Sequence, residues 1–255
     1  MDPVTLLLLC LFAFAAGLVD AIVGGGGLIQ TPASLVLLPQ LPVATVIGSL
    51  KIPSFTGTGF ATLQYLKKVD IKWRLTGAMC LTAFLAAFAG SETLTRVSNR
   101  YMKPVILLVL ILVAVYTYTK KDFGQQQSKK ISDKKQWGYA LLISSIIGFY
   151  DGFIGPGAGS FLILAFIALM KFDFLHASAN AKLLNLSTNF GSILLFLIKG
   201  SILWSVAIPM AISNGLGGML GAKLAIAKGN RFIRVFFLLI ITVTLIRFGY
   251  DVFFK

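Results

Sequence analysis

Gly148 Phe149 Tyr150 Asp151 Gly152 Phe153 Ile154 Gly155 Pro156 Gly157 Ala158 Gly159 sets a helix-breaking glycine run directly behind a lone carboxylate, with apolar sequence on both sides. The same arrangement stands 131 positions upstream, as Gly17 Leu18 Val19 Asp20 Ala21 Ile22 Val23 Gly24 Gly25 Gly26 Gly27. At that shift, with no gap, Lys51 meets Lys182, Trp73 meets Trp204, Gly90 meets Gly221, and Asn99 Arg100 meets Asn230 Arg231. The chain therefore reads as an internal duplication. The first repeat covers 1–119, a polar linker covers 120–136, and the second repeat covers 137–255. Two copies that each carry a lone Asp, a glycine run and a lone Lys in apolar surroundings are the pattern of a membrane transporter built from halves.

Composition sets the solvent. Of 255 residues, 57% are hydrophobic and 13% charged, and the mean hydropathy is +0.86, far above that of a soluble domain. Apolar segments read at 4–23, 28–38, 42–66, 75–90, 102–119, 138–154, 158–170, 174–198, 201–222 and 232–254. Most approach the roughly 20 residues that cross a bilayer as a helix; the two behind the glycine runs are shorter. The runs are continuous, not alternating, so the prediction is an all-α polytopic protein and not a barrel. Met1 Asp2 Pro3 lacks the cationic start of a secretory signal, so segment 4–23 is read as retained.

The net charge of +14 comes from cations between apolar runs, which points to lipid headgroups as neighbours and not to nucleic acid. If all ten segments cross, fifteen Lys and Arg fall on one side and five on the other, with Lys51, Lys182 and Arg247 inside segments. If the short segments only dip in and return, the split becomes twelve against eight. The positive-inside rule prefers the steeper split. The expectation is thus five plus five segments in inverted arrangement with the linker in the cytoplasm; the alternative is four plus four crossings with re-entrant segments.

Several residues are candidates for chemistry. Asp20 and Asp151 are ionisable groups at membrane depth, where desolvation can turn a carboxylate into a proton carrier; each could equally cap the following short helix or pair with a lysine. Gly24, Gly25, Gly26 and Gly27, and Gly155, Gly157 and Gly159, break the helix and free backbone N–H groups for a small anion at a half-helix N-terminus; close helix packing by small residues is the other reading. Lys51, Ser54 and Thr58 share one helix face, and Lys182, Asn185 and Asn189 stand at the matched places. These polar faces should line a protein interior or aqueous cavity, because a lone Lys in lipid is costly. Trp73 and Trp204 read as interfacial anchors.

Cys10 and Cys80 are the two cysteines and offer no disulfide framework. His176, the one histidine, is read as a residue at the start of a helix and not as a metal ligand. No metal or other cofactor and no enzymatic role are predicted, since no metal cluster, serine–base pair or cofactor fingerprint is present.

The glycine run after Asp20, the Lys51 stripe leading into Leu63 Gln64 Tyr65 Leu66 Lys67 Lys68 Val69 Asp70 Ile71 Lys72 Trp73 Arg74, the stretch Gly148 to Gly159, and Asn180, Lys182, Asn185 and Asn189 together resemble the TauE/SafE sulfite exporter family, also called the toluene-sulfonate uptake permease family. The resemblance covers nearly the whole chain. It implies a multi-pass bacterial inner-membrane transporter for sulfite, sulfoacetate or other organosulfonates. The residues themselves lead to the expectation of alternating access at a midplane site between repeats, where the glycine breaks, Lys51 and Lys182 hold a small anion and Ser54, Thr58, Asn185 and Asn189 add hydrogen bonds. An anion channel, or a proton-coupled uptake permease for another small organic anion, stays open, as does homo-oligomerisation.

Overall fold

The computed structural model of the chain describes residues 2–98 and 132–228. Among them are eight helices: α1 Pro3–Val23, α2 Gly27–Leu37, α3 Val43–Tyr65, α4 Trp73–Arg96, α5 Asp133–Phe153, α6 Ala158–Met170, α7 Phe174–Ile198 and α8 Trp204–Lys228. They coincide closely with eight of the ten expected segments. The other two, 102–119 and 232–254, and most of the linker lie outside the described residues. Residues 133–136, read from sequence as the linker's end, are the first turn of α5.

Four helices, α1, α4, α7 and α8, are long and apolar enough to cross a membrane by length and composition. The short helices cannot do so alone: α2 has 11 residues and α6 has 13, about 16 and 20 Å at 1.5 Å per residue against a hydrocarbon core of about 30 Å.

Local chemistry sets the boundaries. Asp2 caps α1 by accepting from Thr5 N at 2.9 Å, with Pro3 at the first helical position, where its missing N–H costs nothing. Gly24 ends α1 with φ 77°, its N–H donating to Asp20 O; a left-handed residue of this kind favours glycine. Gly155 and Gly157 hold positive φ in the matched break. Asp173 caps α7, accepting from Leu175 N and His176 N, and also lies 2.6 Å from the His176 ring.

Helices approach one another backbone to backbone at small residues. A Cβ on Gly90 of α4 would collide with Phe149 O of α5, and its image under the 131-residue shift repeats this: a Cβ on Gly221 of α8 would collide with Leu18 O of α1. Gly148 against Ala83, and Gly17 against Asn214, form a second such pair.

Successive contacts also give direction. Gly148 meets Ala83 and Gly152 meets Ala87, so α4 and α5 run the same way. So do α4 and α7, through Thr76 with Asn180 and Cys80 with Ser187. Gly217 meets Phe14 and Gly221 meets Leu18, which aligns α1 with α8; Ser49 with Leu203 and Gly57 with Gly218 align α3 with α8. In contrast α3 and α7 run oppositely, with Gly48 at Phe196 and Thr58 at Asn185. Hence α1, α3 and α8 point one way and α4, α5 and α7 the other.

One end of the bundle carries Lys72, whose Nζ donates to Gln136 at 3.3 Å. The opposite end carries Glu92 bridged to Arg96 at 2.9 Å and to Lys199 at 3.1 Å. Trp73 and Trp204 begin α4 and α8 and are exposed.

Candidate functional site

The two glycine breaks abut. Ser160, in the first turn of α6, donates its N–H to Gly24 O at 2.9 Å and its hydroxyl to Val23 O at 2.9 Å, while Gly27 lies against Pro156. The break of each repeat is thereby stitched to the break of the other. Tyr150 adds a hydroxyl bond to Pro156 O. No protein acceptor is found for the N–H of Gly27 or of Gly159 among the described residues, as expected of a helix's first turn.

Each lysine reaches across to the aspartate of the other repeat. Lys51 Nζ donates to Asp151 O at 2.6 Å and pairs with Asp151 Oδ1 at 3.0 Å. Lys182 Nζ donates to Asp20 O and pairs with Asp20 Oδ2 at 2.9 Å. The short helices are capped instead by the backbone at Gly26 and Gly157, without side-chain caps, so the capping role weighed for the two aspartates is not the one they fill. Two ammoniums and two carboxylates leave this cluster formally neutral, and the pairing offsets the desolvation that buried charges incur.

The two carboxylates differ in their remaining partners. Asp151 Oδ2 accepts from Asn185 Nδ2 at 3.0 Å and from the Thr188 hydroxyl. Asp20 Oδ2 has only a 3.4 Å contact from Thr58 Oγ1 besides Lys182, and Thr58 stands 3.2 Å from Asn185 Oδ1 as well. Asn189 Nδ2 donates to Asn185 Oδ1 at 3.0 Å and completes a polar row on α7.

A narrow cavity lies between these elements, with about 50 Å³ of room inside, enough for a few water-sized groups. Of the residues singled out from sequence, Asp20, Gly24, Gly26, Gly27, Lys51, Ser54, Asp151, Gly155, Gly157, Gly159, Asn185 and Asn189 line it. Gly25, Thr58 and Lys182 do not: Gly25 packs near Ser160 and Leu28, Thr58 links Asp20 to Asn185, and Lys182 sits fully buried behind Asp20.

Gln30, Thr31 and Asn214 also line the cavity, and sequence reading did not single them out. Asn214 Nδ2 donates to Gln30 Oε1 at 2.7 Å, and Gln30 Nε2 to Leu50 O at 3.3 Å. Their shift-matched positions hold Phe161, Leu162 and Ala83, so a search for polar residues shared by both repeats passes over them. The available signal was a lone amide inside an apolar segment. Among the described residues no three His, Cys, Asp or Glu side chains converge as a metal site would require.

The model of one protein family, described as "Sulfite exporter TauE/SafE", matches residues 9–248. A "Probable membrane transporter protein ORF9" of Sinorhizobium sp is 34% identical, covering 87% of this chain and 84% of that relative. A "Probable membrane transporter protein" of Haemophilus influenzae is also 34% identical, with 87% and 85% covered. The "Probable membrane transporter protein YfcA" of Escherichia coli is 28% identical over 98% of this chain and 92% of its own length. No solved structure matches.

Proposed function

Because the chain belongs to the TauE/SafE sulfite exporter family, a family of multi-pass membrane transporters, we propose that it carries small sulfur-containing anions such as sulfite, sulfoacetate or other organosulfonates across the bacterial inner membrane. The observation that carries this reading is the Lys51 ammonium, buried at the wall of a cavity bounded by both glycine breaks. The Lys51 ammonium, whose charge Asp151 balances, and the neighbouring amides without a protein acceptor together offer hydrogen-bond donors to an oxyanion. Gly24, Gly26, Gly27, Gly155, Gly157 and Gly159 supply the backbone approach, Ser54, Asn185 and Asn189 supply hydrogen bonds, and Lys182 holds Asp20 in place.

Transport proceeds by alternating access between repeats of opposite orientation, five segments each. The opposed directions of α1 and α5, α3 and α7, and α4 and α8 support this arrangement, as does the separation of Lys72 from Arg96 and Lys199 at opposite ends. An uncompensated monovalent anion leaving a cell gains about 2.3 kcal/mol per 100 mV of potential negative inside, so export needs no coupling ion. Uptake needs one, and Asp20 and Asp151 are the groups able to hold a proton.

The test is flux in proteoliposomes. Lys51→Met abolishes sulfite and sulfoacetate movement if Lys51 binds the anion; flux at the wild-type rate in that variant rejects the site.

A further inference from the structure

We infer that Asp20, and not its counterpart Asp151, takes up a proton as an anion enters the cavity, so that one proton binds with each anion. This rests on the anion-transport reading above and adds the identity of the coupling group.

The two aspartates occupy equivalent places in a duplicated sequence, yet their surroundings differ in a way the sequence explains. Asn185 and Thr188, which donate to Asp151 Oδ2, stand where the first repeat has Ser54 and Gly57. Gly57 has no side chain to donate, and Ser54 makes no hydrogen bond to Asp20. Both Asp151 oxygens thus accept from donors, Lys51 on Oδ1 and Asn185 and Thr188 on Oδ2, whereas Asp20 Oδ1 has no donor among the described residues. The Asp20 side chain is 19% exposed against 4% for Asp151, and it lines the cavity. A carboxylate loses least on protonation where fewest donors stabilise its charge.

The anion supplies the reason for the proton to bind. The empty site holds two ammoniums and two carboxylates, and an added monovalent anion would leave it with one unbalanced negative charge. A proton given up by the buffer in the aqueous phase, bonding to Asp20 Oδ1, restores neutrality and turns a repelling oxygen into an O–H donor. Oδ2 remains the acceptor for Lys182, and the anion, one hydrogen bond further out, provides the negative charge that Lys182 would otherwise lack. No bond of the anion is made or broken. Anion and proton therefore favour each other's binding reciprocally.

The charged and titratable groups around Asp20 are Lys182 of α7, Lys51 and Tyr65 of α3, and Asp151 of α5. Lys51 and Asp151 neutralise each other, and the Tyr65 hydroxyl donates to Ala21 O at 3.0 Å. From α2 and α8 the neutral Gln30 and Asn214 line the same cavity as Asp20. With a monovalent anion the loaded site carries no extra charge, so the membrane potential ceases to drive the loaded step and direction follows the product of anion and proton gradients.

Proton counting tests this. Methanesulfonate and sulfate keep a fixed charge from about pH 6 to 8, so any proton released or absorbed on their binding belongs to the protein or buffer. Calorimetric titration of the purified full chain in buffers of different ionisation enthalpy should show about one proton absorbed per anion, with affinity falling about tenfold per pH unit as pH rises. Asp20→Asn, whose amide mimics the protonated acid, should bind the anion with no proton uptake and no pH dependence, and its melting temperature should rise with added anion. Asp151→Asn, if it folds, should still absorb a proton. Ser54→Asn provides a second arm independent of the charge change: it places an amide donor where Asn185 stands toward Asp151, and it should lower proton uptake. Binding without proton uptake in the wild type, uptake retained in Asp20→Asn, or uptake unchanged in Ser54→Asn overturns the assignment while leaving anion transport standing. Failure of both anions to bind the wild type, together with absence of flux in proteoliposomes, removes the transport reading and this inference with it.

Discussion

The Asp20–Lys182 pair makes an asymmetric demand that a stability measurement can read. Lys182 has a side chain with 0% exposure, whereas the Asp20 side chain is 19% exposed at the cavity wall. Asp20→Asn strands an ammonium that has no path to water, and breaking a buried pair in this way costs about 3–5 kcal/mol. Lys182→Met strands a carboxylate that water can reach and that can accept a proton, so its cost should stay near the about 1–3 kcal/mol of an unsatisfied polar group. The difference, about 2 kcal/mol, corresponds to about 4–8 °C in melting temperature for a chain of this size. The double variant, Asp20→Asn with Lys182→Met, leaves no stranded charge and should recover most of the loss, so the two changes are strongly non-additive. Intrinsic fluorescence melting of the three variants in one detergent, without added anion, provides the comparison. If Asp20→Asn melts no lower than Lys182→Met, or if the double variant melts below both single variants, the burial argument is wrong.

Other consequences are read separately. In a chain with Cys10 and Cys80 replaced by Ser, a cysteine at Arg96 or Lys199 should react with an impermeant maleimide added outside intact cells, and one at Lys134 should react only after permeabilisation; labelling of all three from one side would end the inverted arrangement. Gly90→Ala and Gly221→Ala should each destabilise by about 1–3 kcal/mol, because the added methyl meets a backbone carbonyl of the adjoining helix and overpacking costs that much. Gly77→Ala and Gly138→Ala, in α4 and α5 with nothing within 4 Å of the added carbon, should raise stability by about 0.5–1 kcal/mol. A melting series that fails to separate these two classes contradicts the helix packing described.

The helices were legible because the apolar runs are long and are separated by glycine breaks or by clustered charges such as Lys67 to Lys72 and Lys171 to Asp173. Both short helices were marked by the glycine runs that precede them, and segment 158–170 coincides with α6 as Ala158–Met170. The polar stripes were also legible, since a Lys recurring at the same register inside apolar sequence must face a protein interior. The partner of each lysine was not. Matched positions carry the same residue types in both repeats, so Lys51 with Asp20 and Lys51 with Asp151 balance charge equally well on paper. What decides between them is the way the α1–α2 and α5–α6 breaks are stitched through Gly24 and Ser160, a tertiary contact with no local signature. Gln30 and Asn214 escaped for the converse reason, having no polar counterparts in the other repeat.

Those residues are where the two matched stretches of sequence differ, and the differences compensate each other in size. A Cβ on Gly57 would collide with Asn214 Oδ1, so the large Asn214 requires the absent side chain at Gly57. At the shift-matched positions the sizes are reversed, Thr188 with Ala83. The exchange conserves volume roughly while moving polar groups: in the first repeat it removes a donor from Asp20 and gives Gln30 the amide bond from Asn214, and in the second it keeps a hydroxyl on Asp151. Such coupled positions should behave as a unit. Gly57→Thr alone should fail to pack, losing about 1–3 kcal/mol through overcrowding, whereas Gly57→Thr with Asn214→Ala should recover stability and set a hydroxyl toward Asp20 as Thr188 is set toward Asp151. In that double variant proton uptake on anion binding should fall well below one per anion although both aspartates and both lysines remain. A folded double variant that still absorbs a full proton would mean that the donor count around each carboxylate does not decide which of them titrates.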